Sequence, residues 1–114
     1  MVVVGDEYLL KVAVSNLIEN GCKYSSDHTV DIRFHHIRQW IELIFEDRGI
    51  GISETDLQKV FEPFYRGSNA ISVSGYGIGL PLTRQIIKSH NGKMELSSQI
   101  GIGTKITLLL PIIS

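Results

Sequence analysis

Val30, Ile32 and Phe34 alternate with Asp31, Arg33 and His35, and after a short His36–Arg38 connection Ile41, Leu43 and Phe45 repeat the alternation. Side chains of a strand point to opposite faces in turn, so this stretch predicts a hairpin with one apolar face. Such a hairpin is marginal alone and must bury that face against another layer. The chain supplies the layer in two amphipathic stretches. From Glu7 to Tyr24, Leu10, Val14, Leu17, Ile18 and Gly21 fall on one helical face, with Asp6 near the N-cap. From about Gly79 to His90 the apolar members are Leu80, Leu82, Ile86 and Ile87, with Pro81 suited to the first turn and Asn91-Gly92 as terminator.

Lys93–Ser98 and Thr104–Pro111 form a second hairpin around Ile100-Gly101-Ile102-Gly103. Ser53 followed by Glu54-Thr55-Asp56 predicts a short helix reaching Lys59 or Val60, and Val2–Val4 reads as a short strand closed by Gly5-Asp6. The order helix, hairpin, short helix, loop, helix, hairpin predicts an α+β fold. It is a two-layer sandwich, with helices on one face of a mixed, mostly antiparallel sheet. Residues 1–114 are expected to be a single domain, because a compact domain takes roughly 100–150 residues.

Composition narrows the class. At 43% hydrophobic the chain is too apolar for a disordered tail. No apolar run approaches the ~20 residues of a membrane span, and the start lacks the pattern of a signal peptide. A formal net charge of −1 is far from the basic footprint of a dedicated nucleic-acid binder. Cys22 stands alone, which excludes an internal disulfide scaffold and fits a reducing compartment. His28, His35, His36 and His90 have no metal-ligand spacing with Cys22 and read as surface or structural residues. These features describe a small soluble intracellular domain, whole or cut from a larger protein.

Three places carry polar chemistry. Asn16, Asn20 and Lys23 lie within about 60° of one another on the flank of the first helix. An amide oxygen can ligate a hard cation and an ammonium can meet phosphate, but the pattern equally describes an ordinary helix edge. Asp47-Arg48-Gly49-Ile50-Gly51 ends the second strand, and Asp47 continues the row of Ile41, Leu43 and Phe45. A carboxylate there needs a donor, such as the exocyclic amine of a base, although Asp and Gly are also common turn formers. Gly75-Tyr76-Gly77-Ile78-Gly79 opens the last helix, where N–H groups and the helix dipole favour an anion. It follows no strand and lacks the Gly-Lys-Ser/Thr ending, so neither a Rossmann fingerprint nor a Walker loop fits. Phe61 to Gly77, rich in Gly, Ser and Asn, is the long aperiodic stretch expected of a lid.

In order and spacing these elements resemble the sensor histidine kinases. Asn16-Leu17-Ile18-Glu19-Asn20-Gly21-Cys22-Lys23-Tyr24-Ser25 is similar to their N box, Asp47–Gly51 to the first glycine box and Phe61-Glu62-Pro63-Phe64-Tyr65-Arg66 to the F box. Gly75–Leu80 is similar to the second glycine box, and His90-Asn91-Gly92 and Gly101-Ile102-Gly103-Thr104 also fit the pattern. The resemblance runs from Gly5 to Pro111. It implies the catalytic and ATP-binding domain, with the Bergerat-type fold shared by gyrase-type ATPases and heat-shock chaperones, entered late so that the N-terminal part of the sheet is truncated.

The resemblance implies ATP and Mg²⁺ as cofactors and a role for each matched residue. Asn20 would ligate Mg²⁺, Lys23 reach phosphate and Tyr24 line the nucleotide. Asp47 would accept from the adenine amine beside Gly49 and Gly51, with Thr104 supporting that contact. Gly75, Gly77 and Gly79, with Leu80, would surround the triphosphate. Phe61 and Phe64 would anchor an ATP lid over about residues 61–77, with Arg66 near the terminal phosphate. Gly21 and Ile78 stand where the family usually has Ala and Leu, both small changes.

Asn16 bears on the reaction. Hydrolytic relatives and serine kinases of this fold usually carry Glu there as a general base, and a neutral amide cannot take a proton. An imidazole acceptor is already nucleophilic, so phosphoryl transfer to histidine is the expected chemistry. An ATP-hydrolysing or serine-kinase relative, or an interaction module without nucleotide, is the alternative. The acceptor histidine is expected on a dimerisation domain outside this chain, so the chain should bind Mg·ATP without phosphorylating itself. The expected partners are that domain, in a homodimeric parent, and a cognate response regulator. By itself the domain would be monomeric or pair through the edge near Val2–Val4. The expected location is the cytoplasm, with inner-membrane anchoring of the parent a family expectation only.

Overall fold

The computed structural model describes residues 5–24, 27–57 and 76–112, with backbone alone at 23, 24 and 76–79. The elements in chain order are α1 (Glu7–Tyr24), β1 (Asp31–Ile37), β2 (Trp40–Asp47), α2 (Glu54–Leu57), α3 (Tyr76–Ser89), β3 (Lys93–Gln99) and β4 (Gly103–Pro111). They form a two-layer sandwich. The four strands make one sheet in the order β1-β2-β4-β3, and every described pairing is antiparallel.

Alternation puts Leu43 and Phe45 of β2, Ile106, Leu108 and Leu110 of β4, and Met94 and Leu96 of β3 on the same side of the sheet. Ala13 and Leu17 of α1 and Leu80, Ile86 and Ile87 of α3 close the core from the helix side. The α1 cap is the predicted one: Asp6 Oδ1 accepts the N–H of Leu9 at 3.0 Å. Ser53 Oγ likewise accepts the N–H of Asp56 at 3.1 Å and starts α2. Asn91 at φ 61° follows the end of α3, and the N–H of Gly92 returns to the carbonyl of Ile87 at 2.9 Å.

Three local expectations are corrected. The first hairpin strand does not bury its apolar face, since Ile32 and Phe34 are 48% and 51% exposed. The reason is position: α1 packs on β2 and α3 on β3, which leaves β1 at the edge of the sheet formed by the described residues, beyond the helix layer. Val30, just before β1, meets α1, where it lies so close to Gly21 that a Cβ there would sit 2.8 Å away. α3 begins at Tyr76 rather than Gly79, so Gly77 and Gly79 belong to its first turn and Pro81 lies inside it. Leu82 is largely exposed, and fully buried Thr83 faces inward instead. Val2–Val4, the lid from Phe61 to Gly75 and the far end of the short helix lie outside the described residues.

Candidate functional site

Two groups of polar residues are built at one end of the sandwich. The first stands where β2 ends. Asp47 is paired in register with Thr104, and Thr104 with Ser98, so the three occupy neighbouring strands on the core-facing side. The Asp47 carboxylate accepts the N–H of Gly49 at Oδ1 across 2.9 Å. Burial raises its pKa above the ordinary carboxylate value, and the backbone N–H groups of Gly49 and Thr104 only partly offset this. Asp27 and Glu46 add repulsion in the same direction as burial. Asp47 is thus a half-buried acceptor held by two backbone N–H groups.

The loop after Asp47 lies backbone to backbone against the β3–β4 turn. Gly51 has φ 75°, and a Cβ on it would run into the carbonyl of Gln99. Gly103 has φ 146°, and a Cβ there would meet the carbonyl of Asp47. Both conformations favour glycine, so close approach and backbone angle require the same residue. The N–H of Gly101 donates to the carbonyl of Ile50 at 3.0 Å, and that of Ile52 to Ser98 Oγ at 2.7 Å. A concavity of about 470 Å³ opens at this end of the sheet, lined by Asp47, Ser98 and Thr104 of the core-facing row and also by Glu46, Ser97 and Lys105 of the opposite face. On its outer rim Arg48 pairs with Asp27 and Asp31, each at 3.1 Å.

The second group is on the helices. His90, at the end of α3, hydrogen-bonds the start of α1, so the helices run antiparallel and the last turns of α1 lie beside the first turn of α3. Asn20 is there, 5% exposed, with its Nδ2 unpartnered. A buried amide group without a partner is costly and uncommon. Asn16, one turn earlier, is half-buried. Gly77 and Gly79 lie in the first turn of α3, where N–H groups have no helical acceptor, and Leu80 just after them is fully buried. Thr83, one turn on, also has a buried hydroxyl without a partner.

The structure therefore assembles Asp47, Gly49, Gly51 and Thr104 at the sheet end, and Asn16, Asn20, Gly77, Gly79 and Leu80 along the helix pair. The backbones of Lys23 and Tyr24 close α1, with side chains outside the description, and Phe61, Phe64, Arg66 and Gly75 lie outside the described residues. Sequence reading missed Ser98. Its signal was parity, since Ser98 breaks the row of Met94 and Leu96 with a hydroxyl opposite Thr104. Among the described residues no group of three His, Cys, Asp or Glu could hold a metal.

The family model described as the histidine kinase-, DNA gyrase B- and HSP90-like ATPase matches residues 5–114. The chain belongs to that family. SenX3, a sensor-like histidine kinase of Mycolicibacterium smegmatis, is 40% identical over 113 residues, covering 96% of this chain and 29% of that protein. The adaptive-response sensory kinase SasA of Prochlorococcus marinus is 36% identical over 113 residues, with 96% and 30% coverage. The ATPase domain thus spans less than a third of these relatives. Among solved structures, the mycobacterial sensor histidine kinase MprB aligns with a TM-score of 0.86 at 33% identity, over 96% of this chain and 76% of that one. The catalytic domain of histidine kinase ThkA shares the fold with a TM-score of 0.79 at 22% identity, over 96% and 70%. No helix among the described residues is long and apolar enough to cross a membrane.

Proposed function

We propose that this ATPase-family domain binds Mg·ATP and presents the γ-phosphoryl group to a histidine on the dimerisation domain of a sensor kinase, for relay to a response regulator. The observation that carries the reading is Asp47, a half-buried carboxylate with a raised pKa, at the edge of a concavity and beside a loop that Gly51 and Gly103 let pack backbone to backbone against the β3–β4 turn. A base with an exocyclic amine would give Asp47 a further donor beside the backbone N–H groups of Gly49 and Thr104. Gly49 holds the carboxylate in place and Thr104 adds a hydroxyl beside it.

The phosphate end falls to the helix pair. The unpartnered amide of Asn20 suits a Mg²⁺–phosphate group, because a carboxamide presents oxygen or nitrogen in the same place after a half-turn. When bound, Mg²⁺ neutralises charge on the phosphate oxygens. Lys23 would add a point charge, Tyr24 and Leu80 a wall, and the first-turn N–H groups at Gly77 and Gly79 an anion cradle continued by Gly75. Phe61 and Phe64 would hold the lid, with Arg66 at the terminal phosphate. Asn16 cannot serve as a general base, so transfer to a ready nucleophile is favoured over hydrolysis and its work is positioning. The domain would act in the cytoplasm within a homodimeric, membrane-anchored parent.

Calorimetric titration with ATP and Mg²⁺ tests the reading. Binding heat in the wild type and its loss in Asp47→Asn are expected; an unchanged affinity in the variant refutes the adenine assignment. Steady phosphate release would favour a hydrolase, and a phosphohistidine on the isolated chain would refute an external acceptor.

A further inference from the structure

Ser98 Oγ makes three short contacts. It accepts the N–H of Ile52 at 2.7 Å, it lies 2.9 Å from the carbonyl oxygen of Gly103, and it lies 2.7 Å from Thr104 Oγ1. A serine hydroxyl has one proton and two lone pairs. A carbonyl oxygen can only accept, so the contact with Gly103 takes the one Ser98 proton. Ile52 takes one lone pair. The contact with Thr104 is then a hydrogen bond only if Thr104 donates into the other. In the opposite assignment, two oxygens with no proton between them would be held 2.9 Å apart at Gly103. Valence therefore sets the direction of every bond in the cluster.

We infer that Ser98 is a specificity-positioning residue: by taking the Thr104 proton, it leaves Thr104 with lone pairs alone to offer a ligand, beside the Asp47 carboxylate. The inference rests on the adenine reading of this pocket and goes beyond it. Thr104 and Asp47 sit opposite each other on paired strands. The ionised carboxylate has no proton, and Thr104, with its proton committed, has none free. The two present a wall that only accepts. An amine at the ligand edge satisfies it with N–H donors, whereas a carbonyl at the same place meets lone pairs, an arrangement that leaves buried polar groups unpaired. A threonine free to rotate its hydroxyl would tolerate either edge. Ser98 is also tied through the Ile52 N–H to the loop carrying Gly51.

The test compares ATP with inosine triphosphate, which carries a carbonyl in place of the amine, by titration calorimetry with Mg²⁺ present. The wild type should favour ATP. Ser98→Ala frees the Thr104 proton, so the ratio of ATP to inosine triphosphate affinity should fall by about tenfold. Ser98→Thr keeps the hydroxyl and should restore the ratio. A merely structural role would weaken both nucleotides in parallel, and an unchanged ratio in Ser98→Ala overturns the inference. So does equal binding of the two by the wild type. Absence of ATP binding, or ATP binding indifferent to Asp47→Asn, defeats the underlying adenine reading instead and removes the inference with it. NMR of the wild type gives an independent readout should Ser98→Ala not fold. A Thr104 hydroxyl proton with cross-peaks to the Ser98 β-protons supports the assignment, and a Ser98 proton directed at Thr104 overturns it.

Discussion

His90 Nε2 accepts the backbone N–H of Asp6 across 3.0 Å, while Nδ1 donates to the carbonyl of Ile86 at 2.7 Å. One ring nitrogen accepts and the other donates, which describes the neutral ring protonated at Nδ1. Since Asp6 also caps α1 through Leu9, a single imidazole at the end of α3 fixes the start of α1. His90→Ala should destabilise the domain by about 1–3 kcal/mol, because it leaves a partly buried N–H unpaired. Thermal melts and amide exchange check this. Unaltered protection in the first turns of α1 would contradict it.

Asp47→Asn should separate stability from binding. A carboxyl whose folded pKa is raised contributes stability that is complete below its unfolded value and lost as pH rises through the folded one. Above that folded pKa the ionised carboxylate is therefore a cost, and the amide removes it while still accepting from Gly49. The variant's melting temperature should equal or exceed the wild type's at pH 7. That advantage should vanish on acidification below the ordinary carboxylate range. A variant clearly less stable at neutral pH would show that the carboxylate holds the loop together. In the wild type, ATP affinity should fall as pH drops through the raised pKa, since protonation turns an acceptor into a donor.

Gly51 and Gly101 have nearly the same positive φ, 75° and 79°, but different surroundings. A Cβ on Gly101 meets nothing within 4 Å, whereas on Gly51 it would strike the Gln99 carbonyl. Gly101→Ala should cost about 1 kcal/mol, the penalty of the backbone conformation. Gly51→Ala should cost clearly more and should also impair nucleotide binding. Denaturant titration of both variants decides it, and equal losses would deny the close approach.

Thr83 is fully buried with an unpartnered hydroxyl. Valine has nearly the same shape without the polar group, so Thr83→Val should raise stability by about 1 kcal/mol. A loss of that size in chemical denaturation would mean that the hydroxyl has a partner in solution.

The elements were readable wherever one periodicity held. The α1 bounds, the two hairpins and the buried rows of β2 and β4 follow from alternation and helical spacing alone. The edge position of β1 was not readable, because Ile32 and Phe34 alternate as well as Phe45 does; only the placement of the helices over β2 and β3 distinguishes them. The start of α3 was missed because two glycines disfavour a helix locally. At the site, Asp47 stood out as a charge ending an apolar row. Ser98 did not, since one hydroxyl on a strand is ordinary until the register sets it opposite Thr104.

The contact of Gly51 and Gly103 with opposing backbone bears on how the nucleotide would be held. On the proposed seating, the base rests on sheet and turn locked by glycines against opposing backbone carbonyls, while the phosphates rest on two helices joined by side-chain packing. Changes in how α1 and α3 pack would then shift the phosphoryl group with the base still anchored. Such a domain could keep its grip on ATP while turning transfer on or off.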